Sequence, residues 1–125
     1  MAKLEKLDFL MPEHKATFII DKIEYHSISQ WMAAVKATLF RDDEAQKRIM
    51  KQDSPHHCET LAKSIKGYNR TVCGANILQL LYRGMKAKLL QNTLLYLDFI
   101  TTEDTLLGSD LFIKLKNEFL MITND

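Results

Sequence analysis

The densest cluster of reactive side chains in the sequence is His56-His57-Cys58, three consecutive residues that can each bind a metal. Consecutive residues on a helix point in different directions, so three in a row cannot converge on one ion, and the four histidines contain no His-x-x-x-His pair. The run reads as the first turn of a helix with its imidazoles in solvent, and neither a metal nor a cofactor is expected. Cys58 and Cys73 lie 15 positions apart, match no metal or redox spacing, and read as reduced thiols. Gly67, Gly74, Gly84 and Gly108 are too scattered for a phosphate-cradling loop, and no Gly-x-Ser-x-Gly elbow occurs. Nothing singles out a Cys–His nucleophile pair. One segment remains, Gln30, Trp31 and Lys36 on a single expected helix. Trp31 reads as core, whereas a lysine amid apolar residues either runs its stem to solvent or meets an anion. Taken alone, these residues lead to an anion-binding helical domain.

Charge narrows the partners. The net charge is +1, without the basic excess through which a protein neutralises nucleic-acid phosphates, so no sequence-specific nucleic-acid partner is expected. The charge is polarised: residues 1–92 carry a net of +5 and residues 93–125 a net of −4. Such polarity suits solvated faces, or a basic face toward a phosphorylated small molecule or an acidic protein. No apolar run of 18 residues occurs, and the first 15 residues lack the apolar centre of a signal peptide, so the expectation is a cytoplasmic protein with no membrane partner.

The elements that must position Gln30 and Lys36 follow from periodicity. Residues 17–25 are β-branched and aromatic, with Asp21-Lys22 at a hairpin turn. Ser27 and Gln30 fit a capping box, and Ile28, Trp31, Met32, Val35 and Leu39 fall on one helical stripe. A short helix is expected from Asp42 to about Met50. Another starts at Ser54-Pro55 and closes at Gly67, with Cys58, Leu61, Ala62 and Ile65 inward. The broad apolar face of 76–90 predicts a central helix. Asn92 is expected to cap a helix over 93–100, and a last helix spans 109–122 with Leu111, Leu115, Phe119 and Ile122 on one face. The expected fold is mainly α: a compact single-domain helical fold of about six helices with a minor N-terminal β-hairpin, residues 1–16 forming an irregular extension and residues 17–122 the domain.

In that order the segments resemble the NADAR family, the YbiA-like N-glycosidase fold. Residues 18–40 (FIIDKIEYHSISQWMAAVKATLF) resemble its strand, Ser-Val-Glu-His/Gln-Tyr helix start and Lys-Ala ending. Residues 42–69 resemble its two short helices with the Ser-Pro start. Residues 80–92 (LLYRGMKAKLLQN) are similar to its Tyr-Arg-x-x-x-x-Ala-Lys-Phe-x-Gln-Asn helix. Residues 94–104 resemble its Leu-Leu-x-Thr-Gly-Asp exit, and residues 106–119 its closing helix. The resemblance implies cleavage of N-glycosidic bonds in phosphoribosyl, ribosylamine or ADP-ribose compounds, chemistry that needs a carboxylate near the sugar.

The departures are as specific as the matches. The family's Ser-Asn-Phe segment is not recognisable in residues 7–18, and its glutamate at the first helix start is Ser29 here. The tryptophan and arginine expected before the central helix fall near Cys73 and Ile77. Thr102-Glu103-Asp104 runs straight into Leu106-Leu107-Gly108, so the family's Ser-Pro-x-Asp-x-x-Trp-Gly loop is missing. What the resemblance leaves is Gln30, Lys36, Lys88, Gln91 and Asn92, cations and amides suited to a phosphate or sugar; Gln30, Lys36, Lys88 and Asn92 are the candidate ligand-binding residues, and no catalytic residue is assigned. Two readings follow. One is a catalytically reduced protein that binds a phosphoribosyl or ADP-ribose ligand, or a protein partner as inhibitor, decoy or adaptor. The other is a divergent active N-glycosidase whose carboxylate is recruited from Glu24, Glu103 or Asp104. A third reading, an unrelated helical protein, predicts that the first and central helices do not converge on one cleft.

Overall fold

A computed structural model of the protein describes residues 7–123. A short 3-10 turn (Asp8–Leu10) leads into two strands, β1 (Phe18–Ile20) and β2 (Ile23–Tyr25). Seven α-helices follow among the described residues: α1 (Ile28–Leu39), α2 (Asp43–Met50), α3 (Pro55–Ala62), α4 (Arg70–Gln91), α5 (Thr93–Ile100), α6 (Asp104–Leu107) and α7 (Asp110–Thr123). The mainly helical fold with one small hairpin is as the sequence predicts. Residues 1–6 of the expected extension lie outside the described residues; Phe9 and Leu10, which follow, are buried in the core.

The hairpin pairs Phe18 with Tyr25 and Ile20 with Ile23 across an antiparallel register. It turns without glycine: Asp21 and Lys22 both take positive φ, 52° and 71°, the two-residue turn geometry whose twist matches paired strands. Arg83 on α4 donates to the Asp21 carboxylate at 2.9 Å and ties the turn to that helix. Phe18 stacks on Tyr25 with ring centroids 5.9 Å apart, and Tyr25 meets Trp31 edge-on at 5.2 Å, which joins the hairpin to α1.

The central helix is α1 rather than α4. Ile28, Trp31, Ala33, Ala34 and Ala37 are all buried in it, and it packs against α2, α3 and α4. Its alanines let neighbouring backbones approach closely. Helix α4 is the longest, and it starts at Arg70, earlier than the apolar stripe predicts, because the Asn69 side chain accepts from the Val72 N–H and caps it. Its second half supplies most of its buried face: Met85 and Leu89 are fully buried, whereas in the first half Cys73 is buried and Leu78 is 67% exposed. Periodicity gives the direction of an apolar face but not what covers it. Helix α3 ends at Ala62, before the predicted Gly67, although Gly67 does hold the left-handed φ of 76°. Helix α7 packs Leu115 and Phe119 inward and leaves Ile122 exposed, and α6 is a single turn that the sequence does not announce.

Asp42 closes the α1–α2 junction. Its carboxylate accepts from the Ala45 N–H at 3.1 Å, capping α2, and from the Lys66 N–H at 2.9 Å. These bonds, the Lys66 one first, hold the Asp42 carboxyl below the carboxylate value of 3.8. A lowered carboxyl pKa stabilises the fold above the unfolded-state value, and that contribution is lost as pH falls through the folded-state value. Asp42→Asn is therefore expected to lower the urea midpoint at neutral pH and to flatten its decline below about pH 4, measured as a series of urea melts against pH.

Candidate functional site

Helices α1 and α3 face each other with matching stripes. On α1, Ser29, Met32, Ala33 and Lys36 recur at the i, i+3, i+4, i+7 spacing of one helix face, and on α3 and just beyond it Glu59, Ala62 and Lys63 repeat the first three steps. Together with Pro12 and Tyr68 they line a cavity of about 480 Å³. This is within the range of small-ligand sites.

Three charged groups share this cavity. Lys36 is half-buried and makes no ion pair among the described residues, and neither does Lys63. Glu59 is the carboxylate. Its Oε1 accepts from the buried Ser29 hydroxyl at 2.7 Å, and its Oε2 lies 3.9 Å from Nδ1 of His56. The two partners are placed by their own helix starts. Ser27 caps α1 by accepting from the Gln30 N–H, and the Ser29 N–H donates to the Pro12 carbonyl at 3.0 Å, so the Ser29 side chain is turned toward α3. Ser54 caps α3 and Pro55 occupies its first turn, which sets Cys58 inward and Glu59 toward the cavity. Cys58 is 1% exposed, and burial first, then the Glu59 charge, push its thiol pKa up. An inert packed thiol is the consequence. His56 and His57 are exposed while Cys58 is buried, so the three sequence neighbours diverge.

Of the four residues expected to bind ligand, Lys36 lines the cavity and the other three hold backbone. Gln30 is fully buried; its Oε1 accepts from the His26 N–H, one residue beyond the capping-box position, and its Nε2 donates to the Ile49 and Gln52 carbonyls. Lys88 is fully buried and donates to the Phe9 carbonyl at 2.7 Å and the His14 carbonyl at 3.4 Å. Asn92 precedes α5, but its side chain makes no cap; Nδ2 donates instead to the Thr17 and Lys88 carbonyls. Gln91 brackets Ile19, accepting from its N–H and donating to its carbonyl. Buried amides and ammonium groups are stable only when paired, and here the backbone of the hairpin and N-terminal segment pairs them.

None of Glu24, Glu103 and Asp104 lines the cavity; Asp104 pairs with Lys116 at 2.9 Å. The carboxylate that does line it, Glu59, was in plain view in the sequence, and so were Lys63 and Tyr68. Their signal is the repeated spacing of Ser29-Met32-Ala33-Lys36 and Glu59-Ala62-Lys63, which becomes informative only once α1 and α3 are known to be neighbours. A second concavity of about 640 Å³ runs between α4 and α7, lined by Leu78, Gln79, Tyr82, Arg83, Asp110, Leu111 and Lys114.

A helical frame behind a small N-terminal hairpin is the fold the resemblance implies. Among curated proteins none matches the sequence. The family model of the NADAR domain matches residues 1–110, most of the chain, and the protein therefore belongs to the NADAR family.

Proposed function

We propose that this NADAR-family protein binds a phosphoribosyl or ADP-ribose-type ligand in the cavity between α1 and α3. The observation that carries this reading is Lys36, a half-buried cation in a cavity of about 480 Å³ with no carboxylate of the described residues paired to it. A cation left unneutralised inside a concavity suits an anionic ligand group, and Lys63 on the facing wall suits a second phosphate oxygen. Tyr68 at the rim, with its ring 5.7 Å from Phe40, offers an aromatic face for a base. The Glu59 carboxylate can accept from sugar hydroxyls.

Titration calorimetry with ADP-ribose and with ribose 5-phosphate tests this. Saturable heat is expected with at least one of them, and Lys36→Ala is expected to weaken it about tenfold, as loss of one charge-assisted contact does. Absence of heat with both compounds overturns the reading.

Glu59 also favours the second reading, a divergent N-glycosidase, over a protein that only binds. The absence of a glutamate at position 29 argued from sequence that the carboxylate was gone; in the fold a carboxylate is hydrogen-bonded to the residue at that position.

A further inference from the structure

We propose that the groove between α4 and α7 docks a second copy of this chain, in a two-fold dimer that lays the two α7 helices antiparallel. The groove shares no lining residue with the cavity between α1 and α3, so this docking does not depend on the ligand proposed there.

One chain leaves apolar surface on α4 uncovered. Residues 76–90 carry an apolar face broad enough for a helix packed on more than one side, yet Leu78 is 67% exposed, and Val72 and Ile77 on the same half of the helix are exposed too. Leu78 and Tyr82 of α4 and Leu111 of α7 line the groove of about 640 Å³. Beyond it the two helices meet: the Tyr82 hydroxyl donates to the Glu118 carboxylate, and Lys86 Nζ lies 4.0 Å from the same group. Residues 78–79 thus flank 110–111 and residues 82–86 flank 118, so α4 and α7 run in the same direction. A helix laid antiparallel in the groove extends this pair. With α7 of the second copy there and its α4 alongside, four helices enclose Leu78 and Leu111 of both chains, the packing of a four-helix bundle.

Charge identifies the occupant. Asp110 and Lys114 both line the groove, and neither forms an ion pair among the described residues. Lys114 Nζ instead lies over the Tyr82 ring, 5.6 Å from its centroid. The groove's other charge, Arg83, is already paired with Asp21 at 2.9 Å. A partner of a single sign would leave either Asp110 or Lys114 unmatched. The two are four positions apart and so share one face of α7. When two such helices meet antiparallel across a two-fold axis between these positions, Asp110 of each copy faces Lys114 of the other, and both pairs form at once. An interface made from the same patch on both chains requires this self-complementarity. The charge pairs set register and orientation, and burial of Leu78 and Leu111 supplies most of the affinity.

The test is the mass of the full chain by light scattering from about 1 to about 100 µM, the span in which complexes of micromolar affinity dissociate. Wild type is expected to pass from the mass of one chain to that of two. Leu78→Glu changes a side chain that is exposed in the single chain, so it is expected to leave the urea midpoint of dilute protein unchanged and to raise the dissociation constant at least about tenfold. Lys114→Asp and Asp110→Lys each set like charges against one another across the axis, and each is expected to raise it about tenfold. An equimolar mixture of these two variants is expected to recover wild-type affinity to within about threefold, because every carboxylate of one chain then faces an ammonium of the other. Neither variant holds an attractive pair within its own α7, so recovery on mixing reports only the contact between chains. The mass of one chain at every concentration overturns the proposal and leaves the groove to a different occupant. A dimer that Leu78→Glu leaves intact overturns it also, as does one that the charge variants weaken without recovery on mixing.

Discussion

Gly84→Ala is expected to destabilise the protein by about 3 kcal/mol, the upper end of what overpacking a core costs. A Cβ on Gly84 would lie 2.6 Å from Cδ1 and 2.9 Å from Nε1 of Trp31, and 3.0 Å from Cδ1 of Ile28. The indole cannot give way cheaply. Its Nε1–H donates to the Leu80 carbonyl at 2.9 Å, its ring meets Tyr25 edge-on, and the Arg83 guanidinium covers it 5.6 Å from the centroid. Trp31 and Ile28 are buried in α1, so the new methyl must push α4 away from α1, the helix that supplies one wall of the cavity. Gly74, ten positions earlier on the same helix, is the internal control: a Cβ there meets nothing within 4 Å. Gly74→Ala should gain about 0.5–1 kcal/mol from lower chain entropy in the unfolded state. Urea melts of the two variants should therefore move in opposite directions. Equal shifts would mean that α4 does not press on Trp31.

Lys88→Ala should cost about 3 kcal/mol at neutral pH, from loss of the buried methylenes beyond Cβ at roughly 0.8 kcal/mol each and from orphaned carbonyls. Lys88 is fully buried, and its ammonium holds the Phe9 and His14 carbonyls, thereby fastening the N-terminal segment over α4. Burial brings its pKa down from 10.5 to about 8, with the Glu13 charge opposing the shift. The sign of the pH dependence follows. Between about 8 and 10.5 the unfolded chain keeps the lysine proton and the folded chain has released it, so stability rises with pH across that window. Integrated over the full shift the rise is on the order of 3 kcal/mol. Cys58, Tyr25 and Tyr82, whose pKa values burial raises, act the other way. Each is stabilising below its unfolded-state value of 9 or 10, and that contribution is lost as pH climbs through its folded-state value. The lysine effect is therefore read as a difference. Lys88→Met keeps the stem and removes the charge, so wild type should gain on it between pH 8 and 9 in paired urea melts. A constant gap between the two would mean that Lys88 is not desolvated.

Both residues bear on the cavity at one remove. Gly84 sets how closely α4 approaches α1, which carries Ser29 and Lys36. Lys88 fastens the segment that supplies Pro12, whose carbonyl accepts from the Ser29 N–H. Variants that loosen either contact should weaken ligand binding along with stability.

Much of the frame was legible from residue order alone. The helix at 28–39 follows from Ser27 and the Ile28-Trp31-Val35 stripe, the hairpin from alternating β-branched residues, and the start of α3 from Ser54-Pro55, because caps and periodicity act within a few residues of where they are written. The family resemblance was also a matter of segment order, and the match over residues 1–110 agrees with it. Lys36 apart, which side chains face the cavity was not legible. Gln30, Lys88 and Asn92 have the chemistry of ligand contacts, but in the fold their hydrogen bonds are used on His26, Ile49, Phe9, His14 and Thr17. A polar side chain bonds whatever backbone group tertiary packing brings to it, and sequence spacing does not record that. Residue types determined that the first helix carries Lys36 and lacks a glutamate. Only the packing of α3 on α1 decided that Glu59 reaches Ser29 and returns a carboxylate to the cavity, because a contact between residues 30 positions apart exists only after the chain has closed on itself.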